Sequence, residues 1–106
     1  MADVATTKLM ENDKVIVWEM LLEPGESTGM HTHEHSYIIQ VLEGAMLSAT
    51  SEASSEESEF ELTTDSTYWV DVRDGVAILD GVSIPARHDA KNIGDTRYRE
   101  ILVEIK

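Results

Sequence analysis

Residues 29–44, GMHTHEHSYIIQVLEG, are the most informative stretch of this chain. His31 and His33 are separated by one residue, and side chains alternate between the two faces of a β-strand, so both imidazoles are expected on one face. Two imidazoles on one face supply half of a metal site. A third candidate ligand, His88, lies far along the chain, and only a fold could bring it to the pair.

Length and charge limit the classes of function. The 106 residues suffice for one domain with a modest core, which we expect to span residues 1–106. The chain has 21 acidic and 8 basic residues and a net charge of −13. It therefore lacks the basic footprint of a nucleic-acid-binding protein, and an anionic membrane surface would repel it. The charge favours solubility, with adaptation to high salt as a further interpretation.

Composition also restricts the compartment and the metal chemistry. No apolar run is long enough to cross a membrane, and residues 1–8 contain no apolar signal segment. With no cysteine in the chain, these features predict a cytoplasmic protein. Any metal would be bound by histidine nitrogen and by carboxylate or water oxygen.

The pattern of apolar residues predicts strands throughout. Ile101, Val103 and Ile105 alternate with Glu100, Leu102 and Glu104, which predicts a closing strand with one buried face. Glycine-containing turns at 74–75 and 80–81 separate the apolar runs in the second half of the chain. The acidic, serine-rich segment 51–59 is expected to form an exposed hairpin tip. About eight to ten short strands of this kind indicate a sandwich or a barrel. The other predicted strands are residues 15–22, 37–43, 45–50, 60–63, 68–72, 76–79 and 82–84, with a short strand carrying His31 and His33.

Two motifs in the chain resemble those of the cupin superfamily. Gly25, His31, His33, Tyr37 and Gly44 follow the spacing of the first cupin motif, in which a glutamate occupies the position of Tyr37. The second motif is represented by Pro85, His88 and Asn92. The resemblance implies an all-β, antiparallel jelly-roll barrel that holds a metal between the two motifs.

The replacement of the motif's glutamate by Tyr37 alters the metal site that the resemblance implies. A neutral phenol is a poor ligand for a divalent ion. The resemblance therefore implies a site of three histidines, His31, His33 and His88, with water in the open positions. Some cupins that lack the glutamate, such as thiol dioxygenases, work in this way. The metal would be a divalent transition metal: Fe, Mn, Ni, Zn or Co.

Several residues near the motifs have two interpretations. Tyr37 is either a core aromatic or a catalytic group that donates a hydrogen bond near the metal. Arg87 either binds a substrate carboxylate as a catalytic residue or pairs with a surface acid. His35 shares the parity of the histidine pair, so it is either a fourth ligand or an exposed side chain.

Two functions remain open on the sequence alone. The first is a metal-dependent enzyme, of the dioxygenase, isomerase or lyase type, that acts on a small organic metabolite. The alternative is a non-catalytic module that binds a metal or a small molecule, for example as a sensor. A homodimer is expected in either case, because the first and last strands are more apolar than one small barrel requires.

Overall fold

The computed structural model describes residues 3–52 and 54–106, and these ranges form eleven β-strands. Each pairing between these strands is antiparallel. None of the described segments is a helix of the length and hydropathy needed to cross a membrane. The strands are β1 (Thr7–Glu11), β2 (Val15–Leu22), β3 (His31–Thr32), β4 (Tyr37–Glu43), β5 (Ala45–Ser51), β6 (Ser54–Leu62), β7 (Thr67–Arg73), β8 (Val76–Leu79), β9 (Val82–Pro85), β10 (Arg87–Asn92) and β11 (Tyr98–Ile105).

The strands form two sheets that share one core. The larger sheet has the order β1-β2-β11-β4-β7-β8-β9, and the smaller has the order β3-β10-β5-β6. Trp18, Met20 and Ile39 from the larger sheet join Leu47 and Leu62 from the smaller sheet in one buried cluster. This arrangement confirms the predicted all-β jelly-roll fold.

The two strands that the sequence did not predict, β1 and β10, lack the apolar period of a buried strand. All five side chains of β1 are exposed, and β10 has the sequence RHDAKN, so neither strand contains an apolar run. Backbone hydrogen bonds to neighbouring strands place both of them. The acidic segment 51–59 was predicted to be an exposed hairpin tip. Residue 53 lies outside the described residues, and residues 54–59 belong to strand β6, in which Glu57 and Glu59 pair with Thr50 and Ser48 of β5.

The chain passes between the sheets at tight corners. Gly44 is the single residue between β4 in the larger sheet and β5 in the smaller one. A Cβ atom on Gly44 would lie 2.3 Å from the carbonyl oxygen of Leu62, so the close approach of two backbones requires glycine there. Ala86 forms the corresponding corner between β9 and β10.

The closing strand β11 buries the face opposite to the one that hydropathy favours. Glu100, Leu102 and Glu104 point into the protein, whereas Ile101 and Val103 lie on the half-buried outer face of the larger sheet. The register explains this orientation, because Leu102 lies between Trp18 of β2 and Ile39 of β4, which are both buried. A face that carries two glutamates is therefore the inner face.

Both buried glutamates accept hydrogen bonds from neighbouring aromatic side chains. The Tyr98 hydroxyl donates to Oε1 of Glu100 at 2.7 Å, and the Trp18 indole donates to Oε1 of Glu104 at 2.5 Å. Burial raises the pKa of Glu100 to about 7, although the hydrogen bond from Tyr98 acts in the opposite direction. Glu100 therefore becomes ionised in the folded protein only near neutral pH.

Replacing Glu100 by glutamine should stabilise the metal-free protein increasingly as the pH rises. The pKa of Glu100 is about 7 in the folded protein and 4.5 in the unfolded chain. As the pH rises between these values, the unfolded wild-type chain loses this proton while the folded protein retains it, so the free energy of unfolding of the wild type falls. The glutamine variant has no such proton to lose. We expect Glu100→Gln to exceed the wild type in free energy of unfolding by an amount that grows by about 3 kcal/mol from pH 4.5 to 7. Urea denaturation with a metal chelator present measures the difference.

The comparison of the wild type with Glu100→Gln isolates the effect of Glu100. Both proteins carry the same histidines, so the titration of the histidines cancels in the difference between their free energies of unfolding. A difference in unfolding free energy that stays constant across this pH range would contradict the raised pKa.

Candidate metal centre

The backbone pairing of β3 with β10 brings the two motifs together. His31 and His88 are direct partners in this antiparallel pair. His33 follows with the same parity, and its backbone N–H donates a hydrogen bond to the carbonyl of Ala86 at 3.0 Å. The corner at Ala86, immediately after β9, thus holds His33 beside the strand that carries His88. The predicted strand around the histidine pair is shorter than expected, since only His31 and Thr32 have strand geometry.

The three histidines form a compact buried cluster. One ring nitrogen from each lies within 4.8 Å of the corresponding atoms of the other two. The ring centroids are 4.8–4.9 Å apart, and no more than 5% of any of these residues is exposed. The structure therefore brings together all three residues that the sequence selected as metal ligands.

Backbone carbonyls fix the tautomers of two of these histidines. Nδ1 of His31 donates to the carbonyl of Gly29 at 2.9 Å, and Nδ1 of His88 donates to the carbonyl of Pro85 at 2.8 Å. Since the proton of each neutral ring lies on Nδ1, the lone pair lies on Nε2. Carbonyl partners of this kind orient ligand histidines in metal sites.

Burial keeps the three imidazoles neutral. It lowers the pKa of His33 to about 2 and that of His88 to about 4, and the proximity of the other imidazoles acts in the same direction. The pKa of His31 is also lowered by burial, although the Gly29 carbonyl opposes the shift. At neutral pH each ring therefore keeps a free lone pair, as a metal ligand must.

The donor set fits a divalent transition metal. Nε2 of His31 lies 3.1 Å from Nε2 of His33, and two nitrogens bound to one ion at 2.0–2.1 Å are typically about 3.0–3.4 Å apart. His33 has a second nitrogen, Nδ1, which is buried without a hydrogen-bond partner within the described structure. Without a cation, the lone pairs of the two Nε2 atoms would repel each other unless one nitrogen carried a proton. A cation between the rings would instead accept both lone pairs.

Tyr37 lies beside this cluster. Its ring stacks on His33 with centroids 4.4 Å apart and an interplanar angle of 22°. Burial and the charges of Glu100 and Glu104 raise the pKa of its phenol, so Tyr37 stays neutral. The position that holds a glutamate in the first cupin motif thus carries a neutral tyrosine whose ring packs on His33.

The histidines and Tyr37 line a cavity with a volume of about 70 Å³. Its wall is largely apolar, and Met20, Ile39 and Leu102 form part of it. Glu100 also belongs to the wall, although it is not among the site residues predicted from the sequence. The signal was the unusual pattern of β11, in which two glutamates share a face with Tyr98 and Leu102. A cavity of this size accommodates a few water molecules or a small organic molecule.

Arg87 and His35 lie outside this cluster. The Arg87 guanidinium is exposed and binds Oε1 of Glu52 at 3.1 Å and Oγ1 of Thr32 at 3.2 Å. It does not line the cavity in the described structure, and its observed partners lie at the surface. His35 is half-buried and is not part of the metal-ligand group found in the described residues.

Comparisons with known proteins relate the fold to solved structures. No protein-family model matches the chain, and no curated protein shows significant sequence similarity to it. A cupin domain from Bordetella pertussis superimposes with a TM-score of 0.70 and 22% identity, over 94% of this chain and 90% of that one.

Two further structures from distant organisms share the architecture. An RmlC-like cupin family protein from Methanocaldococcus jannaschii has a TM-score of 0.62 and 15% identity, over 93% of this chain and 76% of that one. The Cnp3 cupin domain of Schizosaccharomyces pombe has a TM-score of 0.58 and 14% identity, with coverage of 95% and 63%. The resemblance predicted from the two motifs is confirmed at the level of structure: this chain has the cupin fold.

Proposed function

We propose that this protein is a small metal-binding cupin that acts as a metal-dependent enzyme on a small organic metabolite. His31, His33 and His88 would hold a divalent transition metal, with Fe, Mn, Ni, Zn and Co as the candidates. The observation that carries the proposal is the buried cluster of three neutral imidazoles beside a small, largely apolar cavity.

The chain supplies an incomplete coordination shell. Three histidine nitrogens leave positions for water or substrate, which is typical of catalytic rather than structural metal sites. A bound metal would supply Lewis-acid chemistry or lower the pKa of a bound water. The cavity wall is largely apolar, and Tyr37 can donate a hydrogen bond to a group held next to His33.

Replacing His31 or His33 by alanine should abolish stoichiometric metal binding. Each substitution removes one of three ligands. Removing a residue that only hydrogen-bonds to a ligand typically lowers metal affinity roughly 10–100-fold, so we expect a larger loss here. Elemental analysis of protein purified without an affinity tag, and titration with cobalt(II), measure the effect.

The fourth histidine of the chain provides the matched control. His35→Ala should leave metal content unchanged, because His35 is not part of the three-histidine cluster. Metal content that stays intact in both His31→Ala and His33→Ala would refute the site. Metal-dependent binding of small molecules without any turnover would favour the non-catalytic module.

Tyr37→Phe should separate metal binding from the reaction. The phenol stays neutral and is therefore a weak ligand, so we expect metal content close to that of the wild type. Loss of the hydroxyl should lower turnover or ligand affinity, since it removes a hydrogen bond beside His33. Loss of the metal from Tyr37→Phe would instead show that Tyr37 is itself a ligand.

We further propose that the protein forms a homodimer through the outer face of the larger sheet. The cross-strand register aligns one apolar side chain from each of five adjacent strands on this face. We call this set the apolar row, and its members are Met10, Val17, Val103, Ile38 and Trp69.

The exposure and charge of this face favour a second copy of the chain as its partner. Trp69 is 51% exposed and Met10 is 46% exposed, which is unusual for large apolar side chains. The neighbouring charges of Glu19 and Arg99 neutralise each other in a 2.7 Å ion pair. Two chains of net charge −13 repel each other elsewhere, so a face whose charges are paired is where two copies can meet.

Val103→Lys should convert the dimer into a monomer. Val103 lies at the centre of the apolar row, so its replacement would bury an unpaired charge in the interface. Light scattering at micromolar concentration and moderate salt should give twice the 11.8 kDa chain mass for the wild type and the single mass for the variant. Val82→Lys, which adds the same charge on exposed β9, is the control and should remain dimeric. A monomeric wild type would disprove the interface.

A further inference from the structure

Glu100 presents an unused hydrogen-bonding group at the wall of the metal cavity. The residue is 2% exposed, and its Oε1 atom accepts the hydrogen bond from Tyr98. Its other oxygen, Oε2, is fully buried and has no hydrogen-bond partner within the described structure. Buried carboxylate oxygens are almost always satisfied in folded proteins, so the free acceptor of a residue that lines a cavity can bond to a molecule bound there.

The position of Glu100 separates it from the histidine cluster. Among the described residues, Glu100 is not part of the group of candidate metal ligands. That group consists of His31, His33 and His88, whose ligand atoms lie within 4.8 Å of one another. Glu100 nevertheless lines the same cavity as the three histidines. Because Glu100 and the three histidines line one cavity, one bound molecule can contact both.

The rest of the wall offers few competing polar groups. Met20, Ile39, Leu47 and Leu102 are among its apolar members, and the other polar side chains besides the histidines are Tyr37 and Ser48. An apolar wall cannot fix the orientation of a small ligand, whereas a few placed polar groups can. A buried acceptor also rejects an analogue that lacks the matching donor, because the acceptor is then left unpaired.

We propose that Glu100 is a specificity-determining residue, whose Oε2 atom accepts a hydrogen bond from a hydroxyl or amine on a small ligand that binds the metal through its other end. The inference rests on the proposed metal site and adds the substrate class. That class is a short bifunctional molecule with a metal-binding head, an apolar body and a hydrogen-bond donor at the far end.

Glu104 provides the matched comparison within the same strand. It is also buried and also points inwards from β11. Its Oε1 atom is engaged by the Trp18 indole, and Glu104 does not line the cavity in the described structure. A general effect of removing a buried glutamate would therefore appear in both variants, whereas an effect on ligand selection would appear only at Glu100.

The test uses two neutral thiols that differ only in the group at the far end. In 2-mercaptoethanol this group is a hydroxyl, and in 1-propanethiol it is a methyl. Each is titrated into cobalt(II)-loaded protein, and the sulfur-to-cobalt absorption band reports binding. We expect the wild type to bind 2-mercaptoethanol at least about tenfold more tightly, because 1-propanethiol would leave the buried Oε2 atom unpaired.

The variants locate this preference. Glu100→Met should retain cobalt and lose the preference for the hydroxyl, whereas Glu104→Gln should retain both. The double variant Tyr98→Phe/Glu100→Met removes both partners of the buried hydrogen bond, and it keeps the test valid if Glu100→Met does not fold.

Three results would overturn the inference. These are equal affinity of the wild type for both thiols, binding of neither thiol to the cobalt protein, and a preference that survives in Glu100→Met. Loss of cobalt from a folded Glu100→Met variant would also overturn it, since Glu100 would then be a ligand. Failure of the wild type to bind cobalt would refute the metal site itself, and is thus a distinct result.

Discussion

The pairing of two short strands, β3 and β10, is the interaction on which the site depends. It sets His31 opposite His88, although the two residues are far apart in the chain. The pairing is flanked by hydrogen bonds from Thr28 to Ala90 and from His33 to Ala86. Because backbone groups make these contacts, the pairing does not depend on the imidazoles of His31 and His88, which line the cavity.

The histidine cluster is costly for the metal-free protein. Three imidazoles are buried together, and burial disfavours their charged forms, so each must remain neutral. His33 in addition leaves Nδ1 without a partner in the described structure. Folded proteins retain such clusters mainly where they have a function, and a cation bound by the Nε2 atoms of His31 and His33 would replace the proton that otherwise lies between these two rings.

Strand β11 shows how one element serves both the cavity and the outer surface. Its inward face carries Glu100 and Glu104 among aromatic residues, and its outward face contributes Val103 to the apolar row. Hydropathy alone suggests the reverse orientation. The register with β2 and β4 decides it, because a shift by one residue would transfer every side chain of the strand to the other face.

The sequence by itself determined the fold class and the three candidate ligands. Strands β2, β4 and β8 have the predicted bounds, because their apolar and β-branched runs are bordered by turn residues. The spacing of His31 and His33 placed them on one face, and the second motif selected His88. Only the tertiary structure placed β1 and β10, whose sequences carry no apolar period. It also decided that Glu100 borders the cavity and that Arg87 does not. These outcomes depend on strand register and on contacts between distant residues, which local sequence patterns do not encode.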